Sequence, residues 1–256
     1  MHPFKVMQFN MQFGQIWDDA DPDHAPVDLD VAIGEIRRHD ADIVILQEVE
    51  QTLPGGAQAD PPPNYARLRA ALPGYDSYFS YPRADPRELP FGIGLAIFSK
   101  TPLRGRMRRE LASPPLAFDF GGRAMTPTDR LLIGAVTTLQ GRELRIFDAH
   151  LLAFFMLNAS SEQHLGQREA VLEALRAQSG PTLLAGDFNV SGHQSLLRQF
   201  GAAGYQSAQS KEITWRRRPY VLDHIFHSPE LHLLRQQVLA TPASDHHILI
   251  AEFEFA

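Results

Sequence analysis

Thr182-Leu183-Leu184-Ala185-Gly186-Asp187-Phe188-Asn189 decides how this chain is read. Thr182 to Ala185 is short and of buried character, the pattern of a strand covered on both faces rather than of a helix. A glycine follows, then a carboxylate and an amide. Polar side chains at the end of a buried strand stand where a rigid sheet can converge them on one site.

The arrangement recurs outward along the sequence. Asn10 follows Met7-Gln8-Phe9, Glu48 follows Ile43 to Gln47, and His150 follows Ile146-Phe147-Asp148-Ala149. Asp223 lies inside Val221 to Phe226, and Asp245 and His246 open the last apolar run.

Strand-like and helix-like segments alternate between these points. Phe4 to Phe9, Asp42 to Leu46, Tyr75 to Ser80, Ile93 to Ser99, Tyr220 to His227 and His247 to Phe255 read as strands. Leu131 to Leu139 and Glu143 to Ala149 flank Gln140-Gly141, a hairpin turn. Asp28 to Arg38, Tyr65 to Leu72 (with Asn64 as its cap), Ser161 to Ala177 and His193 to Phe200 (ended by Gly201) read as helices. Three long connections, Gln51 to Asn64, Tyr81 to Pro90 and Ala112 to Asp129, have the length of functional loops. Helices and hairpins in mixed order predict an α/β sandwich rather than a doubly wound parallel sheet.

With 256 residues, 44% hydrophobic, the chain is long enough to bury a large core, and it reads as one domain over 1–256. It has no cysteine, so any metal must be held by oxygen or nitrogen ligands. No apolar leader or bilayer-length run is present, and a cytoplasmic location with no stable membrane insertion and no obligate protein partner is expected. A net charge of −6 weighs against non-specific duplex binding, although a local basic rim would offset it.

Carboxylates with amides and no thiols suit a hard cation such as Mg²⁺ or Mn²⁺. Such an ion polarises a phosphoryl oxygen. A histidine held by an aspartate can move a proton, and further Asn and His donors can stabilise transition-state charge.

Phe9-Asn10, Leu46-Gln47-Glu48, Ala149-His150-Leu151, Gly186-Asp187-Phe188-Asn189, Leu222-Asp223-His224-Ile225-Phe226 and Ser244-Asp245-His246, in this order, resemble the motifs of the endonuclease/exonuclease/phosphatase superfamily, whose members include relatives of DNase I. Singly each piece is weak; the ordered set spans nearly the whole chain. The resemblance implies a four-layer α/β sandwich, two mixed β-sheets packed face to face with helices outside. It implies that Glu48 is the main metal ligand with Asn10 beside it, and that Asp245 is a further one. Asp187 and Asn189 would position the attacking water and contact phosphate, His150 would donate to a phosphate oxygen, and Asp223 would orient the catalytic His246. Family members use one metal or two. Some nuclease members carry an acidic residue two positions after the first Asn, and here that position is Gln12.

Blander readings stand beside these. Asn10 alone would be a turn residue, Asp187-Phe188-Asn189 an Asx turn, and His150 a satisfied core histidine. Of the His246-His247 doublet, His247 is expected to face the opposite side of its strand. Trp215 with Arg216-Arg217-Arg218 reads either as a rim on which a base stacks, with Arg217 on phosphate, or as a solvated hairpin. Arg130 is a further candidate for anchoring substrate. The function expected is metal-dependent phosphodiester hydrolysis, first in nucleic acid. The alternatives are a lipid-headgroup or small-molecule phosphate ester, and, from another class, a non-catalytic binding protein of the same fold.

Overall fold

In a computed structural model describing residues 2–256, the chain runs β1 (Phe4–Asn10), α1 (Leu29–His39), β2 (Ile43–Gln51), α2 (Pro63–Ala71), β3 (Asp76–Ser80), β4 (Gly92–Ser99), β5 (Arg104–Leu111), β6 (Phe118–Phe120), β7 (Arg123–Met125), β8 (Arg130–Leu139), β9 (Arg142–His150), α3 (Gly166–Arg176), β10 (Thr182–Asp187), α4 (His193–Ala202), β11 (Gln206–Ser207), β12 (Asp223–His227), β13 (Leu231–Leu239) and β14 (Ile248–Phe255). Two six-stranded sheets have the orders β13-β14-β1-β2-β4-β3 and β11-β12-β10-β9-β8-β5, with β6 and β7 forming a separate ribbon.

Each sheet is mixed, and each contains one parallel pair. β1 and β2 are parallel, joined through α1, and β9 and β10 are parallel, joined through α3. The neighbouring pairings are antiparallel. A parallel pair ends both of its strands on the same edge, so Asn10 and Gln47 pair in register on one sheet and His150 and Asp187 on the other.

The alternation of side chains sets the layers. Phe4 and Val6 of β1, Ile43 and Ile45 of β2, Ile146 of β9, Leu183 of β10 and Leu249 of β14 meet between the sheets. The residues between them in sequence face outward. Met7, Phe9, Val44 and Leu46 cover Ile33, Ile36 and Leu68 of α1 and α2. Phe147, Leu184 and Phe226 cover Val171, Leu175, Leu196 and Phe200 of α3 and α4. The result is the four-layer sandwich, helices outside, that the resemblance implies. No described helix is long and apolar enough to cross a membrane.

Several local expectations change. β2 continues to Gln51 because a register shift between Gln47 and Glu50 lets it bend past Glu48 and resume pairing with β4. Asn64 is not a cap: α2 starts at Pro63, and the Asn64 amide instead donates to the carbonyls of Phe13 and Val49. α3 begins at Gly166, residues 161–163 and 165 being turns, and α4 runs past Gly201 to Ala202. β5 and β13 are edge strands with largely solvated side chains, and such strands carry little hydrophobic alternation to read. The Ala112 to Asp129 connection contains the β6–β7 ribbon. The Gln140-Gly141 hairpin forms as expected, with φ of 53° and 77° at the two residues.

Candidate active site

The same alternation that builds the inner core delivers the site. After Phe4 and Val6, the next inner-facing positions of β1 are Gln8 and Asn10. After Leu144 and Ile146 on β9 come Asp148 and His150, and after Leu183 and Ala185 on β10 comes Asp187. Asp223 opens β12 opposite Asp187, and His246 lies just before β14. The inter-sheet layer thus changes from apolar to polar at one edge.

Glu48 occupies the bend in β2 with φ of 51°, a left-handed backbone that ordinary residues adopt only under tertiary constraint. Gly92 faces it, and a β-carbon there would stand 2.2 Å from Glu48 Oε2. Gly186 is required for a similar reason, since its β-carbon would meet the Ala149 carbonyl oxygen at 1.9 Å. Asn10 ties the sheets together: its Nδ2 donates to Glu48 Oε1 and to Asp187 Oδ2, each at 3.0 Å. Asp187 Oδ1 accepts from the Asn189 backbone N–H at 2.9 Å, and the Asn189 amide donates to the Leu151 carbonyl at 3.1 Å. Asn189 is also left-handed, with φ of 50°.

His246 Nδ1 lies 2.8 Å from Asp223 Oδ2, and its Nε2 lies 3.7 Å from Asp187 Oδ2 and 4.0 Å from Asp245 Oδ1. Burial by itself would lower the His246 pKa, but Asp223, Asp187 and Asp245 outweigh it and raise the value to about 10. Asp223 moves the other way: burial opposes its charge, yet the facing imidazolium holds it below the usual carboxylate range. His150 Nε2 lies 3.7 Å from Asp187 Oδ2 and 3.9 Å from Glu48 Oε1. Burial, then Arg130 and His246, push it down to about 3, so it is neutral.

Burial pushes Glu48 up to about 7 despite the Asn10 hydrogen bond. Burial, then the Asp223 charge, raise Asp187 to about 8. Acid groups held this far above their ordinary range, converging from two sheets with an amide between them, fit a hard divalent cation. Glu48, His150 and Asp187 offer atoms within 4.8 Å of one another, as do Asp187, Asp223 and His246.

The site opens into a cleft of about 680 Å³. Glu48, His150, Asp187, Asn189, Asp245 and His246 line it, whereas Asn10 and Asp223 stand behind them. The three candidates for substrate contact also line it, each already engaged. Arg130 donates to Glu88 at 3.2 Å and Thr128 at 2.8 Å. Trp215 donates from its indole N–H to Asp245 Oδ2 at 3.0 Å, and Arg217 Nε reaches the same oxygen at 2.6 Å. That leaves Asp245 Oδ1 facing His246. Arg216 lies over the Trp17 ring and within 3.2 Å of His247 Nδ1. His224 is packed against Phe188 and Phe226 in the outer core.

Sequence reasoning passed over Gln8, Gln47 and Asp148, which join the two sheets behind the site by hydrogen bonds of 2.7 to 2.8 Å. Their signal was present: each falls on an inner-facing strand position directly after two apolar ones. Asp148 is fully buried, and burial raises it well above the usual carboxylate range despite the Gln47 hydrogen bond.

The sequence pattern of the endonuclease/exonuclease/phosphatase family matches residues 7–246, a span that runs from β1 to His246. The chain belongs to that family. Among endonuclease/exonuclease/phosphatase proteins of solved structure, one from Beutenbergia cavernae superposes with a TM-score of 0.76 at 21% identity, over 100% of this chain and 72% of that one. A mannosyl-6-phosphatase of Bacteroides thetaiotaomicron superposes with a TM-score of 0.66 at 21% identity, over 98% of this chain and 100% of that one. By sequence, a UPF0294 protein of Yersinia pseudotuberculosis is 31% identical over 141 residues, 52% of either chain. The chain thus matches about half the length of this curated relative. Endonuclease/exonuclease/phosphatase proteins are generally hydrolytic phosphoesterases.

Proposed function

We propose that this chain is a divalent-cation-dependent hydrolase of a phosphodiester. The observation that carries the reading is the Asp223–His246 hydrogen bond of 2.8 Å, which aims His246 Nε2 at Asp187 beside Glu48. Glu48 would hold the cation, with Asp187 and Asp245 within reach and Asn10 steering the Glu48 and Asp187 carboxylates through its amide N–H groups. When bound, it supplies Lewis-acid polarisation of a phosphoryl oxygen and offsets the charge that develops there. Asp187, which a cation bound beside Glu48 would keep ionised, is suited to take a proton from water that Asn189 helps to place. His246 keeps its proton at neutral pH and gives it to the leaving oxygen, the resulting charge redistribution being steadied by Asp223. Neutral His150 donates from Nε2 to a non-bridging oxygen.

The mouth of the cleft supports a substrate in which an apolar or aromatic group flanks the phosphate. Val27, Phe91 and Met156 line it although 55%, 55% and 59% exposed, and Phe120 packs edge-on against Phe91 at 6.0 Å. The arginines that line it do not form a free cationic track: Arg87, Arg130 and Arg217 pair with Asp85, Glu88 and Asp245. Duplex nucleic acid is therefore disfavoured. A single-stranded end remains the second reading, because Phe155 and Trp215, 5.6 Å apart, offer ring faces for a base.

The test is a hydrolysis panel of bis-p-nitrophenyl phosphate, phospholipid vesicles, single- and double-stranded DNA, RNA and sugar phosphates. Each is run with Mg²⁺, Mn²⁺ or chelator. Chelator-sensitive cleavage is expected, abolished in Glu48→Ala and His246→Ala. Cleavage that survives both substitutions overturns the assignment.

A further inference from the structure

Behind the site, two amides of one sheet lie between two acids of the other. Gln8 Nε2 donates to Asp223 Oδ1 at 2.8 Å and to Gln47 Oε1 at 2.7 Å, and Gln47 Nε2 donates to Asp148 Oδ1 at 2.7 Å. All four side chains are fully buried, so no water competes for these groups. Asp223 thereby uses one oxygen for Gln8 and the other for His246.

We propose that Gln8, Gln47 and Asp148 are positioning residues for the Asp223–His246 pair, with Asp148 fixing the polarity of the row. A carboxamide can turn over and exchange its donor for its acceptor. Gln8 must present nitrogen to Asp223, and Gln47 must then present oxygen to Gln8. That choice sends Gln47 Nε2 to the far side, where Asp148 Oδ1 accepts it. Without that acceptor Gln47 is held only by the hydrogen bond it accepts from Gln8, and its own N–H groups are left unpaired in the core, which favours turning over. Turned over, it sets nitrogen against nitrogen at Gln8. If Gln8 follows, oxygen faces the Asp223 carboxylate, and the grip on Asp223 is lost. The requirement at 148 is therefore an acceptor atom rather than a charge. Groups standing behind the reacting residues in this way commonly change activity by 10- to 100-fold.

This inference rests on the proposed hydrolysis only for its kinetic readout. The experiment compares Asp148→Asn, Asp148→Val and Gln47→Met for kcat and KM on bis-p-nitrophenyl phosphate. It also follows the His246 Nδ1–H proton by NMR at fixed pH. Asp148→Asn keeps the acceptor and should retain the parental kcat and resonance. Asp148→Val and Gln47→Met should lower kcat about tenfold or more with KM unchanged, and shift or broaden the resonance. Gln47→Met conserves volume and carries the test if Asp148→Val does not fold. A folded Gln47→Met protein with parental kcat and resonance overturns the relay, as does an Asp148→Asn protein as impaired as Asp148→Val. If the parent cleaves no phosphate ester, the resonance alone decides, so the two readings fail separately.

Discussion

Gly92 and Glu48 are in close opposition: the pro-side-chain position of Gly92 falls within 2.4 Å of Glu48 Cβ as well as 2.2 Å of its Oε2. Glu48 can occupy its bend only because β4 offers it bare backbone.

Gly92→Ala should therefore displace the Glu48 carboxylate and lower cation affinity or activity about 10- to 100-fold. Gly74→Ala is the control, because a β-carbon there meets nothing within 4 Å. Calorimetric titration with Mn²⁺ checks this, and equal affinity in Gly92→Ala and the parent contradicts it.

Stability should depend on pH differently with and without cation. Burial raises Glu48 to about 7 and Asp187 to about 8. A carboxyl raised in the fold contributes fully below its unfolded pKa and loses that contribution as pH rises through the folded value. The cation-free protein should therefore melt progressively lower as pH climbs from the unfolded carboxyl range through 7 to 8. Cation at about 100 times its Kd should add about 2.7 kcal/mol where it binds. Because it competes with protons for the same oxygens, its affinity should rise over that window. Thermal melts at several pH values, with Mn²⁺ or chelator, measure both effects. Parallel curves would show that the acids and the cation do not share a site.

The Asp223–His246 pair predicts a second pH window. The His246 pKa is raised to about 10, so its contribution is complete below the unfolded value of 6.5 and disappears as pH rises through about 10. Asp223→Asn removes the nearest opposing charge and should cost about 3–5 kcal/mol at neutral pH, the usual effect of breaking a buried pair. It should also flatten the stability profile between neutrality and pH 10. Denaturant melts across that range provide the measurement.

Phe91→Ala and Met156→Ala address the cleft mouth. Both side chains are more than half exposed, so stability should change by no more than about 0.5 kcal/mol. If they cover an apolar part of the substrate, each loses up to about 0.8–1.7 kcal/mol of burial in the complex, because little more than half of either side chain is left to cover. At the upper end that is a loss of more than about tenfold in kcat/KM. Cleavage of a small water-soluble phosphodiester without that apolar group should be unaffected in the same variants. An equal loss on both substrates would point to distortion of the site instead.

Much of this was readable from strand periodicity. Thr182 to Ala185 and Asp42 to Leu46 announce themselves as buried strands followed by polar residues, and their inner and outer faces follow from counting by twos. The Asp223–His246 contact was readable only through the ordered motifs, since 23 residues separate them and no local pattern joins them. The bend at Glu48 was not readable: it depends on Gly92, which arrives in β4 and has no sequence relation to β2 beyond pairing. β5 and β13 were missed because edge strands with solvated side chains lack the alternation that marks inner ones. Arg217 showed its charge but not its engagement, since Asp23 and Asp245 are both remote in sequence.

The parallel pairs β1–β2 and β9–β10 divide the chemistry between the two sheets. Asn10 and Glu48 belong to one, and His150, Asp187 and Asp223 to the other. Neither sheet alone carries the whole constellation, because the burial that shifts Glu48, His150 and Asp187 exists only once the two sheets meet. Recovery of activity during refolding should therefore report the moment the sheets dock, a clock that neither secondary structure nor collapse can start.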